Sequence, residues 1–296
     1  MRKIACKIVL ALVFVSVHAC AIIFESDDLN DIHKYIGKNS KKNAVKNIIV
    51  IFDIDNTVSE NFADLDSWIP HKIDYLQNKG VSQNDAKSLV LSAYFTMQDF
   101  TDMTPIGNSP KIIKNLQCKK IPVMALTNRS IPIADRTIVQ LKDINIDFVK
   151  TSPYKKELLL PLKYNVRFSN GVIFTASNDK GQALIAFLKK TGYKPKKVIF
   201  IDDKLKHVKS VERALDQYNS ALQKDALDGE IEFIGMRFSL QDKKKKLFDF
   251  NYVEQKWYDL KVKLGMEPLP MEPLSKVSQN DVVYGNAMPA CGETGE

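Results

Sequence analysis

Cysteine is scarce in this sequence and long apolar runs are few, and each shortage excludes a class of protein. Four cysteines occur among 296 residues. They show neither paired spacing nor a metal-ligand pattern with the four histidines, which argues against a disulfide-stapled fold. The apolar run at residues 8–17 is shorter than the roughly 20 residues that a membrane-spanning helix needs. We therefore expect no transmembrane helix in the mature chain.

Charge of one sign is not concentrated in any stripe either. The formal net charge is +8, and three of the cations, Arg2, Lys3 and Lys7, fall in the N-terminal leader. An excess of this size favours anionic partners such as phosphate esters, but we expect no dedicated nucleic-acid surface. Hydrophobic residues make up 45% of the chain and charged residues 26%, which is typical of a soluble globular protein with one or two domains.

Residues 1–19 have the pattern of a secretory signal peptide. A basic start precedes the apolar run, and compact residues lead up to Ala19, where cleavage is expected. The sequence therefore predicts an exported protein, periplasmic or secreted. Cleavage after Ala19 would leave Cys20 first, which resembles a bacterial lipoprotein acceptor, so a lipid anchor at Cys20 is the alternative.

Strands and helices are predicted to alternate along the rest of the chain. Apolar, β-rich runs at residues 47–52, 121–126 and 198–201 each end in a polar cluster and predict strands buried on both faces. Helical periodicity appears at residues 132–141, 180–190 and 205–222. This alternation predicts a three-layer α/β fold with a doubly wound, mostly parallel sheet, in which ligands bind at the carboxyl ends of the strands.

Other segments are expected to be additions to this frame. Helical patterns at residues 63–77 and 83–97, separated by Gly80, predict a small helical cap. Asn170-Gly171 predicts the turn of a hairpin over residues 168–174, because this pair tolerates the positive φ of such a turn. Residues 230–236 are expected to add an edge strand, and residues 243–264 a closing helix.

Polar clusters at the ends of the predicted strands point to phosphoryl transfer. Asp53 and Asp55 leave the first strand two positions apart, so both can face one crevice. One carboxylate could attack phosphorus while the other handles a proton. The second strand ends in Thr127-Asn128-Arg129, where a hydroxyl and backbone N–H groups could hold phosphate oxygens.

Two further clusters supply charge of each sign. Lys180 opens a predicted helix and offers a compact positive charge. Asp202 and Asp203 end the third strand and offer the hard oxygen ligands that Mg²⁺ prefers. Arg129 has two interpretations: contact with the substrate anion, or a surface pair with an acidic residue. The lysines at 243–246 are most simply a solvated helix face.

Together these clusters resemble the four signature motifs of the haloacid dehalogenase (HAD) superfamily. The resemblance lies in their order and context over about residues 45–235, and the set reads Asp53-Ile54-Asp55-Asn56-Thr57, Thr127-Asn128, Lys180 and Asp202-Asp203. The leader and the compact insertions are similar to those of secreted bacterial acid phosphatases and of an uncharacterised secreted bacterial branch of the superfamily.

The resemblance implies a role for each matching residue. Asp53 would be the nucleophile and a metal ligand, and Asp55 the general acid/base and a ligand through its backbone carbonyl. Thr127, with Asn128 beside it, would hold the phosphoryl group. Lys180 would neutralise the nucleophile and the phosphate. Asp202 would bind Mg²⁺, and Asp203 would support it.

The sequence thus predicts a Mg²⁺-dependent phosphomonoester hydrolase with a phosphorylated small-molecule substrate. A phosphomutase is a weaker enzymatic alternative. A second class of hypothesis is a secreted interaction or effector protein that keeps the fold but acts by binding.

The predicted organisation is an N-terminal segment at residues 20–44, a Rossmann-like HAD domain at 45–264 and a flexible tail at 265–296. The cap insertion would span about residues 60–108 and a second insertion about 144–170. The oligomeric state stays open.

Overall fold

The computed structural model describes residues 21–37, 47–60, 65–224 and 230–266. The predicted signal peptide, Cys20 and the chain from residue 267 onward lie outside the described residues. The described residues up to Phe248 form one compact unit, and those from Asp249 onward form a second. The domain boundaries predicted from the sequence stay predictions.

The strands and helices have the following bounds. The strands are β1 (Ile22–Ser26), β2 (Ile48–Phe52), β3 (Ser59–Glu60), β4 (Thr104–Pro105), β5 (Val123–Thr127), β6 (Leu158–Leu160), β7 (Val166–Ser169), β8 (Val172–Phe174), β9 (Lys197–Asp202) and β10 (Glu232–Phe238). The helices are α1 (His33–Ile36), α2 (Leu65–Asn78), α3 (Gln83–Phe100), α4 (Ser109–Cys118), α5 (Ala134–Asp143), α6 (Lys180–Thr191), α7 (Leu205–Lys224), α8 (Asp242–Lys245) and α9 (Phe250–Lys263).

Within the described residues, eight strands form one sheet in the order β1-β10-β9-β2-β5-β8-β7-β6. The pairs from β1 to β8 are parallel, and β7 pairs antiparallel with both β8 and β6. The predicted mostly parallel sheet is confirmed. The expectation that residues 230–236 form an edge strand is wrong, because β1 pairs with the outer side of β10. The short run of β1 ends at once in Ser26-Asp27-Asp28 and gives too little pattern to predict a strand.

Helices cover both faces of the sheet and make three layers. Alternate residues of β2 point to opposite faces, as the pleat requires: Val50 and Phe52 join a core with α4 and α5, whereas Ile49 and Ile51 join a core with α6 and α7. Every residue of β2 is buried, which accounts for its unbroken run of Ile, Val and Phe. Burying each such side chain stabilises the fold by roughly 1.5–3 kcal/mol.

A two-helix hairpin, α2 and α3, lies between β3 and β4. The helices predicted at residues 63–77 and 83–97 are confirmed with slightly different ends. Gly80 has a φ of 86° at the turn between them, a conformation that glycine adopts without strain. Because β3 and β4 pair with each other, the chain leaves and re-enters the rest of the unit at one place.

The predicted Asn170-Gly171 hairpin is also confirmed, as the turn between β7 and β8. Both residues have positive φ values, 51° and 78°. Position 171 requires glycine for a second reason, since a Cβ atom there would lie 2.7 Å from the backbone oxygen of Phe148.

The single closing helix predicted at residues 243–264 is instead two helices, α8 and α9. The break between them falls where Asp249 accepts a hydrogen bond from the N–H of Tyr252 and begins α9 as its N-cap. Because Asp249 also begins the second compact unit, each helix belongs to a different unit.

Candidate active site

The carboxyl ends of three neighbouring strands bring polar residues to one edge of the sheet. Asp53 directly follows β2, Thr127 is the last residue of β5, and Asp202 is the last residue of β9. The N–H of Asp53 donates to the backbone oxygen of Ile201 at 2.8 Å, which joins the ends of β2 and β9. This edge is where open α/β sheets bind ligands.

Three buried carboxylates form the centre of the site. Asp53, Asp202 and Asp203 are 5%, 0% and 4% exposed, and one oxygen from each lies within 4.8 Å of the others. Two lysines contact this acidic cluster. The Nζ atom of Lys180 lies 2.7 Å from Asp53 Oδ1 and 2.6 Å from Asp202 Oδ2, and that of Lys245 lies 2.5 Å from Asp203 Oδ2. Close-set carboxylate oxygens are the donors that Mg²⁺ prefers, so the residues present fit a hard divalent cation.

The environment of the cluster shifts the pKa values of its carboxyl groups in opposite directions. Burial, reinforced by the negative charge of Asp202, raises the pKa of Asp53 well above its usual value. Burial and Asp202 likewise raise the pKa of Asp203, to about 6. Burial would also raise the pKa of Asp202, but Lys180 and His207 together hold it well below its usual value. Asp202 is therefore the firmly ionised member of the cluster.

Lys180 is buried and is held in place by the start of α6. Burial opposes its charge, but Asp202 and Asp53 outweigh burial and raise the pKa of Lys180, so it is a cation. Asp179 caps the helix by accepting from the N–H of Gln182 at 2.9 Å. The Ser210 hydroxyl donates to Asp179 at 2.6 Å and accepts from the N–H of Gly181 at 3.0 Å. The first turn of α6 is thus fixed against α7.

A tight turn after β2 presents Asp55. The backbone oxygen of Ile54 accepts from the N–H groups of Val58 and Ser59, each at 3.0 Å, and Asn56 takes a left-handed conformation with a φ of 60°. The Asp55 side chain is 30% exposed, whereas that of Asp53 is 7% exposed. Asp55 is therefore the more accessible of the two carboxyl groups.

Arg129 is buried and pairs with the half-buried Asp55. Its side chain is 1% exposed, and Nε and Nη2 donate to the two carboxylate oxygens at 2.9 and 2.8 Å. The sequence allowed two interpretations, contact with the substrate anion or a surface pair with an acidic residue. The structure contains a pair with an acidic residue, but its arginine is buried and does not lie on the surface. Any direct role of Arg129 toward a substrate stays a prediction.

Thr127 and Asn128 lie beside the acidic cluster at the end of β5. Thr127 is fully buried, and its hydroxyl oxygen accepts from the N–H of Arg129 at 3.2 Å. The side-chain oxygen of Asn128 accepts from the Thr175 hydroxyl at 2.8 Å, and its Nδ2 atom lies 3.4 Å from Nε2 of His207. Their proposed contact with phosphate stays a prediction.

The structure adds residues that the sequence did not indicate. Nδ1 of His207, in the first turn of α7, lies 3.1 Å from Asp202, and burial lowers the pKa of this histidine. Lys245, expected on a solvated face, contacts Asp203, and its neighbour Lys244 lies 2.7 Å from Glu60 on β3. The position of His207, five residues after Asp202 at a helix start, is the one local signal that could have indicated it.

Fold and site together define an α/β protein with a buried acidic cluster at the carboxyl edge of a mostly parallel sheet. Residues 25–269 match the family described as "Protein of unknown function (DUF2608)". The chain belongs to that family.

Among curated proteins, the chain is similar to chlamydial sequences. It is 29% identical over 177 residues to a Chlamydia trachomatis protein named "Putative outer membrane protein", an alignment that covers 58% of this chain and 66% of that protein, just under two thirds of its length. A Chlamydia pneumoniae protein with the same description is 23% identical over 222 residues, which cover 74% of this chain and 79% of the relative.

Among solved structures, the chain is similar to a haloacid dehalogenase-like family hydrolase from Streptococcus pneumoniae. The sequence identity is 12% and the TM-score 0.38, and the match covers 63% of this chain and 92% of the other. This likeness concerns the fold alone.

Within the four described ranges, every helix is too short or too polar to span a bilayer.

Proposed function

We propose that this protein hydrolyses phosphomonoesters, with Asp53 as nucleophile and Asp55 as the acid and base. The observation that carries the proposal is the acidic cluster itself: Asp53, Asp202 and Asp203 meet at the carboxyl edge of the sheet with Lys180 contacting two of them. Asp55 lies two residues from the nucleophile and is the more accessible carboxyl group. This is the arrangement that phosphoryl transfer to a carboxylate needs.

The reaction takes two steps. An oxygen of Asp53 attacks phosphorus, the bond from phosphorus to the ester oxygen breaks, and Asp55 gives its proton to the departing oxygen. Water then attacks the phosphorus of the aspartyl-phosphate, and Asp55 takes a proton from that water. The bond between Asp53 and phosphorus breaks, which releases inorganic phosphate and restores both carboxyl groups.

Mg²⁺ is the cofactor that this site suits. Asp53 and Asp202 would hold it, with the backbone carbonyl of Asp55 as a further ligand and Asp203 in support. When bound, the ion offsets the negative charge of the carboxylates and the phosphate ester. Lys180 alone is a single point charge and cannot fill several oxygen-coordination positions. The raised pKa values of Asp53 and Asp203 support this assignment, because burial and the charge of Asp202 make their ionised forms unfavourable without a further cation.

A phosphatase screen tests the proposal. Nucleotides, sugar phosphates, phosphoamino acids and phospholipid head groups would each be offered with Mg²⁺ to the native protein, to Asp53→Asn and to Asp216→Asn. Asp216 is an exposed residue of α7 and serves as a matched control for the loss of one carboxylate. We expect phosphate release from at least one class, its loss in Asp53→Asn and its retention in Asp216→Asn. Equal release by native protein and Asp53→Asn would contradict the proposal.

Binding without catalysis is the second candidate, and one observation favours it. Helix α3 exposes two pairs of large apolar side chains on opposite sides of the helix, and a partner could cover either pair: Leu89 with Phe100, and Leu91 with Phe95. The Asp53→Asn variant separates the two candidates in the source organism. Retention of the biological phenotype by this variant would favour binding, and its loss would favour the enzyme.

We also propose that the protein acts outside the cytoplasm. The predicted signal peptide and the names of the chlamydial relatives support this location. Mass spectrometry of the exported protein tests it, and a mature chain that begins at Cys20 or within a few residues after it is the expected result. An intact Met1 on functional protein would contradict the proposal. A diacylated Cys20 would select the lipid-anchored alternative.

A further inference from the structure

Arg129 fixes both oxygens of the Asp55 carboxylate. Nε donates to Oδ2 at 2.9 Å and Nη2 donates to Oδ1 at 2.8 Å, so two parallel hydrogen bonds hold the carboxylate in the plane of the guanidinium. Each carboxylate oxygen has two acceptor positions, and this pairing uses one on each. The remaining positions stay available for the proton that Asp55 gives to a leaving group, or for a hydrogen bond from a water molecule.

Arg129 is itself held by helix α5. Its Nη1 group donates to the Thr137 hydroxyl at 3.1 Å and to Gln140 Oε1 at 3.0 Å. Four guanidinium donors thus have side-chain acceptors, which satisfies the requirement for a cation buried to this degree. Burial alone would lower the pKa of Arg129, but Asp55 more than reverses this, so the arginine is charged.

Gln140 connects this pair to the end of α3. Its Nε2 group donates to the backbone oxygens of Gln98 and Thr101, at 2.8 and 2.6 Å. Carbonyl groups in the last turn of a helix have no partner within the helix and need one elsewhere. A continuous chain of contacts therefore runs from Asp55 through Arg129 and Gln140 to the two-helix hairpin.

We infer that Arg129 is a positioning residue that sets the orientation of the Asp55 carboxyl group, and that Gln140 links Arg129 to the end of α3. This inference rests on the proposed function. A partly exposed aspartate without such a partner has several rotamers, and only those that face the departing oxygen serve proton transfer. The planar guanidinium of Arg129 binds both oxygens of Asp55 and so restricts the carboxyl group to one orientation. The ammonium group of a lysine is a single point charge and cannot do so.

Dependence on the leaving group tests this role. p-Nitrophenyl phosphate releases a stable anion that needs little protonation, whereas an alkyl phosphate releases an alkoxide that does need it. The constant kcat/KM covers only the steps up to release of the alcohol, so later hydrolysis of the aspartyl-phosphate does not affect it. Native protein, Arg129→Gln, Arg129→Lys and Gln140→Leu would be compared with both substrates, and circular dichroism would confirm that each variant is folded.

We expect Arg129→Gln to lower kcat/KM for the alkyl phosphate by about 100-fold and that for p-nitrophenyl phosphate by less than about tenfold. Arg129→Lys keeps the charge but not the fork, so it should show the same selective loss. It also keeps the test decisive if Arg129→Gln does not fold. Gln140→Leu should show a smaller loss in the same direction.

Arg136 lies on α5, the helix that also carries Gln140, and offers a matched control. It also contacts the end of α3, donating from Nε to the backbone oxygen of Asp99 at 2.8 Å, but it does not contact Asp55. Arg136→Gln should leave the ratio of the two kcat/KM values unchanged. Equal losses for both substrates in the Arg129 variants would overturn this inference alone. Native protein inactive toward every phosphomonoester would overturn the proposed function and this inference with it.

Discussion

At the scale of single residues, the ion pairs of the site contain more carboxylates than cations. Four carboxylates pair with three cations: Asp53, Asp55, Asp202 and Asp203 with Lys180, Arg129 and Lys245. Water screens little of this charge because most of the groups are buried. Burial is the main reason that the pKa values of Asp53 and Asp203 rise, and the charge of Asp202 adds to it. The clustered carboxylates explain why a divalent cation suits the site.

Replacing the two carboxylates of the first motif should separate stability from activity. Asp53→Asn should abolish turnover, and Asp55→Asn should lower kcat by about 100-fold or more. Because the buried charge of Asp53 is unfavourable, Asp53→Asn should also raise the free energy of unfolding of the metal-free protein by roughly 1 kcal/mol. Steady-state kinetics and urea unfolding measure both effects. Native rates in either folded variant would contradict the mechanism.

Asp203 should make the stability of the metal-free protein depend on pH. Its pKa is about 6 in the folded chain against an ordinary value of 3.8, so between these pH values the unfolded chain binds fewer protons than the folded chain. The contribution of Asp203 to stability is therefore present below about pH 4 and is lost as pH rises through 6, by at most about 3 kcal/mol.

The difference between native protein and Asp203→Asn measures this contribution, since carboxyl groups outside the acidic cluster titrate equally in both. Asp53 adds to the difference, because the charge of Asp203 is one cause of its raised pKa. Urea unfolding at several pH values between 4 and 7 provides the measurement. Asp203→Asn should gain stability relative to the native protein as pH rises through this window. A difference that does not change with pH would show that Asp203 titrates normally.

At the scale of elements, the position of Lys180 depends on how closely α6 approaches α7. Ser210 on α7 contacts both Asp179 and Gly181, the residues on either side of Lys180. A Cβ atom at position 181 would lie 2.4 Å from the Ser210 backbone oxygen and 2.6 Å from the Ala214 Cβ atom. Only glycine permits this approach.

Gly181→Ala should therefore destabilise the protein, by about 1–3 kcal/mol through overpacking. Helix propensity alone predicts the opposite, a gain of roughly 1 kcal/mol, so the sign of the change identifies the cause. Gln182→Ala, at the next and exposed position, should change the free energy of unfolding by less than about 0.5 kcal/mol. Stabilisation by Gly181→Ala in urea unfolding would refute the close approach.

The accuracy of the sequence predictions followed the strength of each local pattern. The central strands and α6 were predictable because unbroken β-branched runs and helical periodicity are strong signals. The terminal strand β1 was missed because its run is short, and its pairing displaced the expected edge strand at residues 230–236. The break between α8 and α9 depends on one capping residue, Asp249, within a lysine-rich helical pattern.

At the scale of the whole molecule, the sheet topology explains which parts of the site could be predicted. Asp53, Thr127 and Asp202 end parallel strands, so one rule about sheets places them together. The partner of Arg129 lies 74 residues away, and that of Lys245 lies 42 residues away, directly after β9. No local pattern encodes such contacts, because they depend on how side chains distant in sequence pack together.

Metal binding should stabilise the folded chain as a whole. Because the acidic cluster exists only when β2 and β9 are paired, Mg²⁺ at 100 times its dissociation constant should raise the free energy of unfolding by about 2.7 kcal/mol. Asp202→Ala should eliminate this gain, and Asp203→Ala should reduce it by a smaller amount. Differential scanning fluorimetry with and without Mg²⁺ measures both effects.

The activity should depend on the same metal. Chelation should stop turnover, and added Mg²⁺ should restore it. Full activity of the metal-free protein, or an Asp202→Ala titration that matches the native one, would contradict the assignment.

The central claim is that phosphate passes through the carboxylate of Asp53, and covalent trapping tests it most directly. Native protein and Asp53→Asn would be mixed with a turned-over phosphomonoester and Mg²⁺, quenched within milliseconds and reduced with borohydride, which converts an aspartyl-phosphate to homoserine. Peptide mass spectrometry then locates the converted residue. We predict homoserine at position 53 in the native protein and none in Asp53→Asn. Conversion at another residue, or rapid turnover with no converted residue at any quench time, would contradict the account.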